Sequence, residues 1–159
     1  IAQSLRGMAQ VIFKGLGTRV LYTSQGGYDT HANQVSVQTP LLSDLSAGIG
    51  DFFADLSEHD AADNVMMLVF TEFGRRVKDN GSGSDHGSGG GCYLIGQPVK
   101  GGTLGDYPSL KEGDQLDGDL HFNVDFRSVY STIVDKWLGL DAQTAIGGNY
   151  ETLDFVRSN

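Results

Sequence analysis

The chain has 159 residues, enough to build one domain around a single substantial core and too few for two. Its 20 acidic residues against 11 Lys plus Arg leave a formal charge of -9, the wrong sign for a surface that tracks phosphates, so nucleic acid and anionic membrane are not the expected partners. No apolar run approaches the roughly 20 residues of a bilayer span, and a single cysteine, Cys92, rules out an internal disulfide.

Leu5, Met8, Ala9, Ile12 and Leu16 recur at spacings of three and four, which predicts an amphipathic helix over residues 2–15, ended by Gly15 and Gly17. The chain enters this periodicity at once, without a targeting segment, and reads as a piece of something longer. Arg19–Thr23 has the β-branched and aromatic composition of a strand, followed by a loop with Tyr28, Asp29, Thr30 and His31. From Thr39 a stripe of Leu41, Leu42, Leu45, Ile49, Phe52, Phe53 and Leu56 predicts a helix over about 39–58, with Pro40 in its first turn. Val65–Phe70 is apolar on both faces, the pattern of a central parallel strand, and it ends in Thr71, Glu72, Phe73, Gly74, Arg75 and Arg76.

Residues 78–91 read as a Gly/Ser/Asp loop carrying Asp85 and His86, and six of the 23 glycines fall between Gly81 and Gly91. Cys92–Ile95 is a further strand candidate, in which Cys92 is expected to pack. Residues 125–138 form a last helix, with Asp125 as N-cap and Gly139 as C-cap. This alternation predicts a single α/β domain: a mainly parallel sheet sandwiched by helices.

Beyond three predicted strand ends lie Asp29 with His31, Glu72, and Asp85 with His86, where ligands of open α/β sheets bind. Mixed carboxylate and imidazole ligation suits a divalent metal, zinc or manganese first, because imidazole binds the borderline ion while carboxylates neutralise its charge. Any single Asp-x-His is also what a capping Asp beside a surface His looks like; three clusters at three strand ends favour ligation. The glycine-rich loop matches neither the P-loop nor the dinucleotide fingerprint, and without a Gly-x-Ser-x-Gly elbow Ser82, Ser84 and Ser88 do not make a hydrolase triad with His86. Asp114, Asp117 and Asp119 lack EF-hand spacing and read as a solvated acidic loop. His59 reads as structural at a helix end, and Arg75 and Arg76 beside Glu72 either bind an anionic substrate, with Arg75 the candidate, or simply neutralise the carboxylate.

The strings Gly26-Gly27-Tyr28-Asp29-Thr30-His31-Ala32-Asn33-Gln34, Thr71-Glu72-Phe73-Gly74-Arg75-Arg76, Asn80-Gly81 and Ser84-Asp85-His86-Gly87 together resemble domain-of-unknown-function family 1501. These are exported bacterial proteins of the alkaline phosphatase and sulfatase superfamily. The resemblance runs from about Val20 to Leu140 and implies an alkaline phosphatase-like partial domain, the C-terminal part of a longer one. It also implies a periplasmic or extracellular location. Carried over by order, Asp29 and His31 are metal ligands, Glu72 with Phe73 stands where the enzymes have an Asp-His pair, and His86 is the later His ligand, with Asp85 a further ligand or its orienting partner. Phe73 in place of a histidine removes a nitrogen ligand from the second metal.

The leading expectation is a fragment of a metal-dependent hydrolase acting on a small-molecule or polymeric phosphate or sulfate ester. Its nucleophile is expected in a segment this chain does not contain, so the chain alone should turn esters over slowly. The alternative is a non-catalytic exported binding protein that keeps the fold and one metal.

Overall fold

The periodicity of the first helix is realised as α1 (Ala2–Phe13), which lies against α2 (Gln34–Glu58). Leu5 and Ala9 of α1 meet Phe52 and Leu56 of α2 in a buried cluster, flanked by Ile1, Met8, Ile12, Phe13, Ile49 and Phe53. The structure, a computed structural model, describes residues 1–157.

The second helix starts at Gln34, so Pro40 is an interior residue of α2 and not a first-turn one. Contacts from elsewhere in the chain support the extra turn: Ser82 accepts from the amide of Asn33 through its hydroxyl (2.9 Å) and from that of Gln34 through its carbonyl (3.3 Å). The left-handed conformation of Asn33 (φ 51°) turns the chain into the helix. At the other end His59 is the C-cap, its ring stacked on Phe13 at 4.1 Å and its Nδ1 2.9 Å from the carbonyl of Asp55.

The expected mainly parallel sheet is not what the chain builds. Its described residues form two small antiparallel sheets of two strands each. Val65–Phe70 contributes only β1 (Met67–Val69), which pairs antiparallel with β4 (Tyr93–Ile95). Its two-sided apolar pattern reflects contact with helices, not parallel neighbours: Met67 joins the α1–α2 cluster, and Phe70 meets Tyr130 edge to face at 6.0 Å. Arg19–Thr23 forms no strand, and Val20 and Tyr22 are exposed, because a composition suited to pairing still needs a ladder partner. Cys92, expected to pack, is exposed.

The second sheet lies in residues read from the sequence as loop: β2 (Gly74–Asp79) pairs with β3 (Ser84–Gly87). Asn80–Gly83 closes this hairpin, with the Asn80 amide donating to the Gly83 carbonyl at 2.9 Å and the Gly81 amide to the Asp79 carboxylate at 2.7 Å.

The last helix splits into α3 (Phe126–Thr132) and a π-helical turn over Ile133–Trp137. Asp125 caps α3 as expected, accepting from the Arg127 amide at 2.9 Å, and Gly139 follows in the left-handed region (φ 62°). Buried Ser128, Val129, Ser131 and Thr132 form the inward face of α3; the Thr132 hydroxyl accepts from the Leu153 amide, tying the helix to the segment that carries buried Phe155.

A short helix, α4 (Ala142–Ile146), is unanticipated by the sequence reading and starts at the Asp141 cap. The Asp141 carboxylate accepts from the Thr144 hydroxyl, the Thr144 amide and the Gln143 amide, and these bonds, the Thr144 hydroxyl first, hold its carboxyl below the usual carboxylate range. A carboxyl depressed on folding stabilises above its unfolded value of about 3.9, and the effect is lost as pH falls through the lower folded value. Acidification from pH 5 to pH 2 should therefore fray α4, read in the amide shifts of Gln143 and Thr144. Asp141→Ala should show frayed shifts already at pH 5, and native shifts in that variant would refute the cap.

Candidate functional site

The β2–β3 hairpin and the loop before α2 bring the chemistry together. His86 sits on β3 directly opposite Arg75 of β2, so both side chains leave the ribbon on one face. The loop carrying Asp29 and His31 is held along α2, where the Gln38 side-chain amide donates to the Tyr28 carbonyl (3.2 Å) and to the Thr30 hydroxyl (3.0 Å).

Asp29, His31 and His86 converge. Oδ1 of Asp29 lies 3.2 Å from Nε2 of His31 and 2.9 Å from Nε2 of His86, and one ligand-type atom of each residue lies within 4.8 Å of the others. Two ligands bound tetrahedrally at about 2.0–2.1 Å stand roughly 3.3–3.4 Å apart, so this spacing needs only small adjustments to enclose one ion. All three residues are exposed, so the group opens to solvent.

Asp85 stays outside this trio and acts from behind His31: its Oδ1 is 3.2 Å from Nδ1 of His31 and accepts from the Asn80 side-chain amide at 3.0 Å. The same Asn80 amide donates to the His31 carbonyl at 3.0 Å. Hydrogen bonds from Asn80 first and His31 second hold the Asp85 carboxyl below the usual range, which keeps it an acceptor. Asp85 on the Nδ1 side holds the ring so that Nε2 faces the Asp29 oxygen, the edge from which an imidazole ligates a cation. The orienting carboxylate thus serves His31, and not its neighbour His86.

His86 is placed by a ring. Phe73, just before β2, stacks on it at 3.9 Å with 12° between planes, and the His31 ring lies 4.7 Å away on a 33° tilt. Glu72, the sequence-level candidate ligand beside Phe73, is exposed and not part of the trio; its Oε2 accepts from the Thr71 hydroxyl at 3.5 Å. Arg75, the candidate substrate-binding residue, points its guanidinium at backbone instead, donating to the carbonyls of Tyr28, Thr30 and Ser84 at 2.6 Å each.

The three loop serines are likewise occupied within the scaffold. Ser82 accepts from Asn33, the Ser84 hydroxyl donates to Oε1 of Gln34, and the Ser88 hydroxyl donates to the Leu120 carbonyl. None is paired with a histidine. In the acidic loop Asp119 accepts from the Ser88 amide, Asp117 offers its carbonyl to Arg76, and Asp114 accepts from Ser109. Asn80 and Gln34 were not singled out for the site from the sequence. Both lie in the strings that carry the family resemblance, Gln34 at the end of the first and Asn80 in the Asn80-Gly81 pair, but no residue chemistry there marks either as a support for the site.

Fold and site together define an α+β chain in which a glycine-rich hairpin and the loop before a long helix present an aspartate and two histidines to solvent. A family model described as "Protein of unknown function (DUF1501)" matches residues 6–151, and the chain belongs to that family. No curated protein and no solved structure matches it.

Proposed function

We propose that the chain holds a divalent metal ion, zinc or manganese, through Asp29, His31 and His86, and that it is part of a metal-dependent hydrolase of phosphate or sulfate esters. One observation carries the reading: three ligand-type atoms from two segments, with His31 and His86 55 residues apart, meet within 4.8 Å at an exposed face. Three protein ligands with open positions is the arrangement of a catalytic rather than a structural metal site. A divalent ion there supplies Lewis acidity toward an ester oxygen. The chain's own residues set its place: Asp29 offers the central oxygen, His31 is oriented by Asp85, and His86 is backed by Phe73.

Assignment to the alkaline phosphatase and sulfatase superfamily, with export to the periplasm or cell exterior, rests on the order of the Asp-Thr-His, Glu-Phe-Gly-Arg and Asp-His-Gly strings, not on the sheet. Phe73 occupies the position of a second-metal histidine, so we expect one ion per chain.

Metal analysis after dialysis against zinc or manganese should give about one ion per chain, and His31→Ala should abolish retention. Hydrolysis of p-nitrophenyl phosphate, a phosphodiester and a sulfate ester should be slow, because none of Ser82, Ser84 and Ser88 is paired with a histidine, and should vanish with chelator. Unchanged stoichiometry in His31→Ala sinks the site. A second reading, a non-catalytic binding protein with one metal, is favoured by Phe73 covering one face of His86 and by the commitment of Arg75 to backbone. Metal retention without turnover of any ester selects it.

A further inference from the structure

Arg75 is half-buried, and all four hydrogen bonds of its guanidinium go to neutral oxygens. Nη2 donates to the Tyr28 carbonyl and to the Thr30 hydroxyl, and Nη1 donates to the carbonyls of Thr30 and Ser84. Tyr28 and Thr30 flank Asp29, while Ser84 begins the strand that carries Asp85 and His86. One rigid planar group therefore touches both segments that supply the site, on the residues adjoining its carboxylates. The guanidinium carbon also lies 5.1 Å from the centre of the Phe73 ring, whose stacking places His86.

Resting on the metal-site reading above, we propose that Arg75 is a positioning residue. Its guanidinium clamps the Asp29–His31 loop to the strand bearing His86 and so fixes the distance between the ligands. An arginine meant for an anionic substrate presents free N–H groups to solvent, whereas both terminal nitrogens here are spent on the scaffold. The fork has a fixed geometry, so it reaches carbonyls on two segments at once, and charge-assisted bonds of this kind are the stronger ones. A lysine keeps the charge and the apolar stem but offers a single rotating ammonium that cannot reproduce the fork.

Groups that orient ligands without touching the ion change metal affinity by about 10–100-fold when removed. Cobalt(II) serves as the spectroscopic probe, with affinity measured by competition against a chromophoric chelator. Arg75→Lys and Arg75→Gln should bind cobalt about 10–100-fold more weakly than the unaltered chain and with an altered visible spectrum. Arg75→Lys should do so while its melting temperature stays near that of the unaltered chain. Lys78→Gln, an exposed change on the same strand, should leave affinity and spectrum unchanged.

If the unaltered chain binds no cobalt, the metal-site reading fails and takes the clamp with it. If it binds and Arg75→Lys binds equally well, the clamp alone is overturned. If Arg75→Lys does not fold, Arg75 is a determinant of the whole fold and the positioning role is again overturned.

Discussion

Gly74→Ala should open the β2–β3 hairpin and weaken the site with it. Gly74 faces Gly87 across the ribbon, and a Cβ built there would lie 1.9 Å from the carbonyl oxygen of Gly89, 2.2 Å from its carbon and 2.8 Å from the Gly90 nitrogen. All three obstacles are backbone, so no rotamer change relieves them. The same Gly89 oxygen accepts from the Arg75 amide at 2.9 Å, so pushing it away breaks a bond that fixes Arg75. Forcing one carbon into such a contact costs about 1–3 kcal/mol or more, and for a chain of this size each kcal/mol lowers the melting temperature by roughly 2–4 °C. Phe73 immediately precedes Gly74, so the displaced strand also carries away the ring stacked on His86. Gly50→Ala provides the control, because a Cβ there meets nothing within 4 Å and Gly50 lies inside α2. It should be neutral or stabilise by up to about 1 kcal/mol. A Gly74→Ala protein that melts with the unaltered chain and retains the same metal would refute the close-approach argument.

What the sequence reveals here is what local pattern can encode. Leu5 and Ala9 against Phe52 and Leu56 is a contact between two amphipathic stripes, and both stripes are visible as spacings of three and four. The Asp125 cap is visible because capping is chemistry within one turn. Sheet direction is a different kind of property. The apolar run around Met67–Val69 marks a strand apolar on both faces, and packing against those faces carries no record of whether the strand beside it runs parallel or antiparallel. β2 was illegible for the opposite reason: Gly74-Arg75-Arg76-Val77-Lys78-Asp79 belongs to a ribbon whose last four strand residues are exposed, so no alternation of apolar and polar residues marks it. Asn80-Gly81 is a pair that can close a hairpin, but in a segment this rich in glycine and serine it reads as loop.

The site divides along the same line. Asp29, His31 and His86 stand out by side-chain type, but the order of the motifs groups Glu72 and Asp85 with them, and geometry alone sets the three apart. Which carboxylate serves which imidazole depends on geometry across two segments, so Asp85 pairs with His31 although His86 is its neighbour in sequence. Arg75 reads as an anion binder because its charge is visible and the carbonyls that absorb its hydrogen bonds are not.

Asp29→Asn and Asp85→Asn should separate a ligand from its support. The Oδ1 atom of Asp29 is the one that both imidazole Nε2 atoms face, at 3.2 and 2.9 Å. An asparagine of the same shape removes the charge that offsets a divalent cation, and it leaves a neutral amide oxygen or an NH₂ group toward the ion. A bound ion would then have two neutral imidazoles as its remaining ligands from this trio. Asp85, in contrast, touches His31 through Nδ1, on the side of the ring away from Asp29, so its replacement loosens the ring without removing a ligand. Zinc or cobalt affinity should fall by about 10–100-fold in Asp85→Asn and by clearly more than that in Asp29→Asn. Glu72→Gln should change nothing measurable, because Glu72 lies outside the trio and its neighbour in the structure is the Thr71 hydroxyl. The reverse order, with Asp85→Asn the more damaging, would make Asp85 the ligand and Asp29 the outer partner. A large loss in Glu72→Gln would return Glu72 to the ligand set that the order of motifs first assigned it.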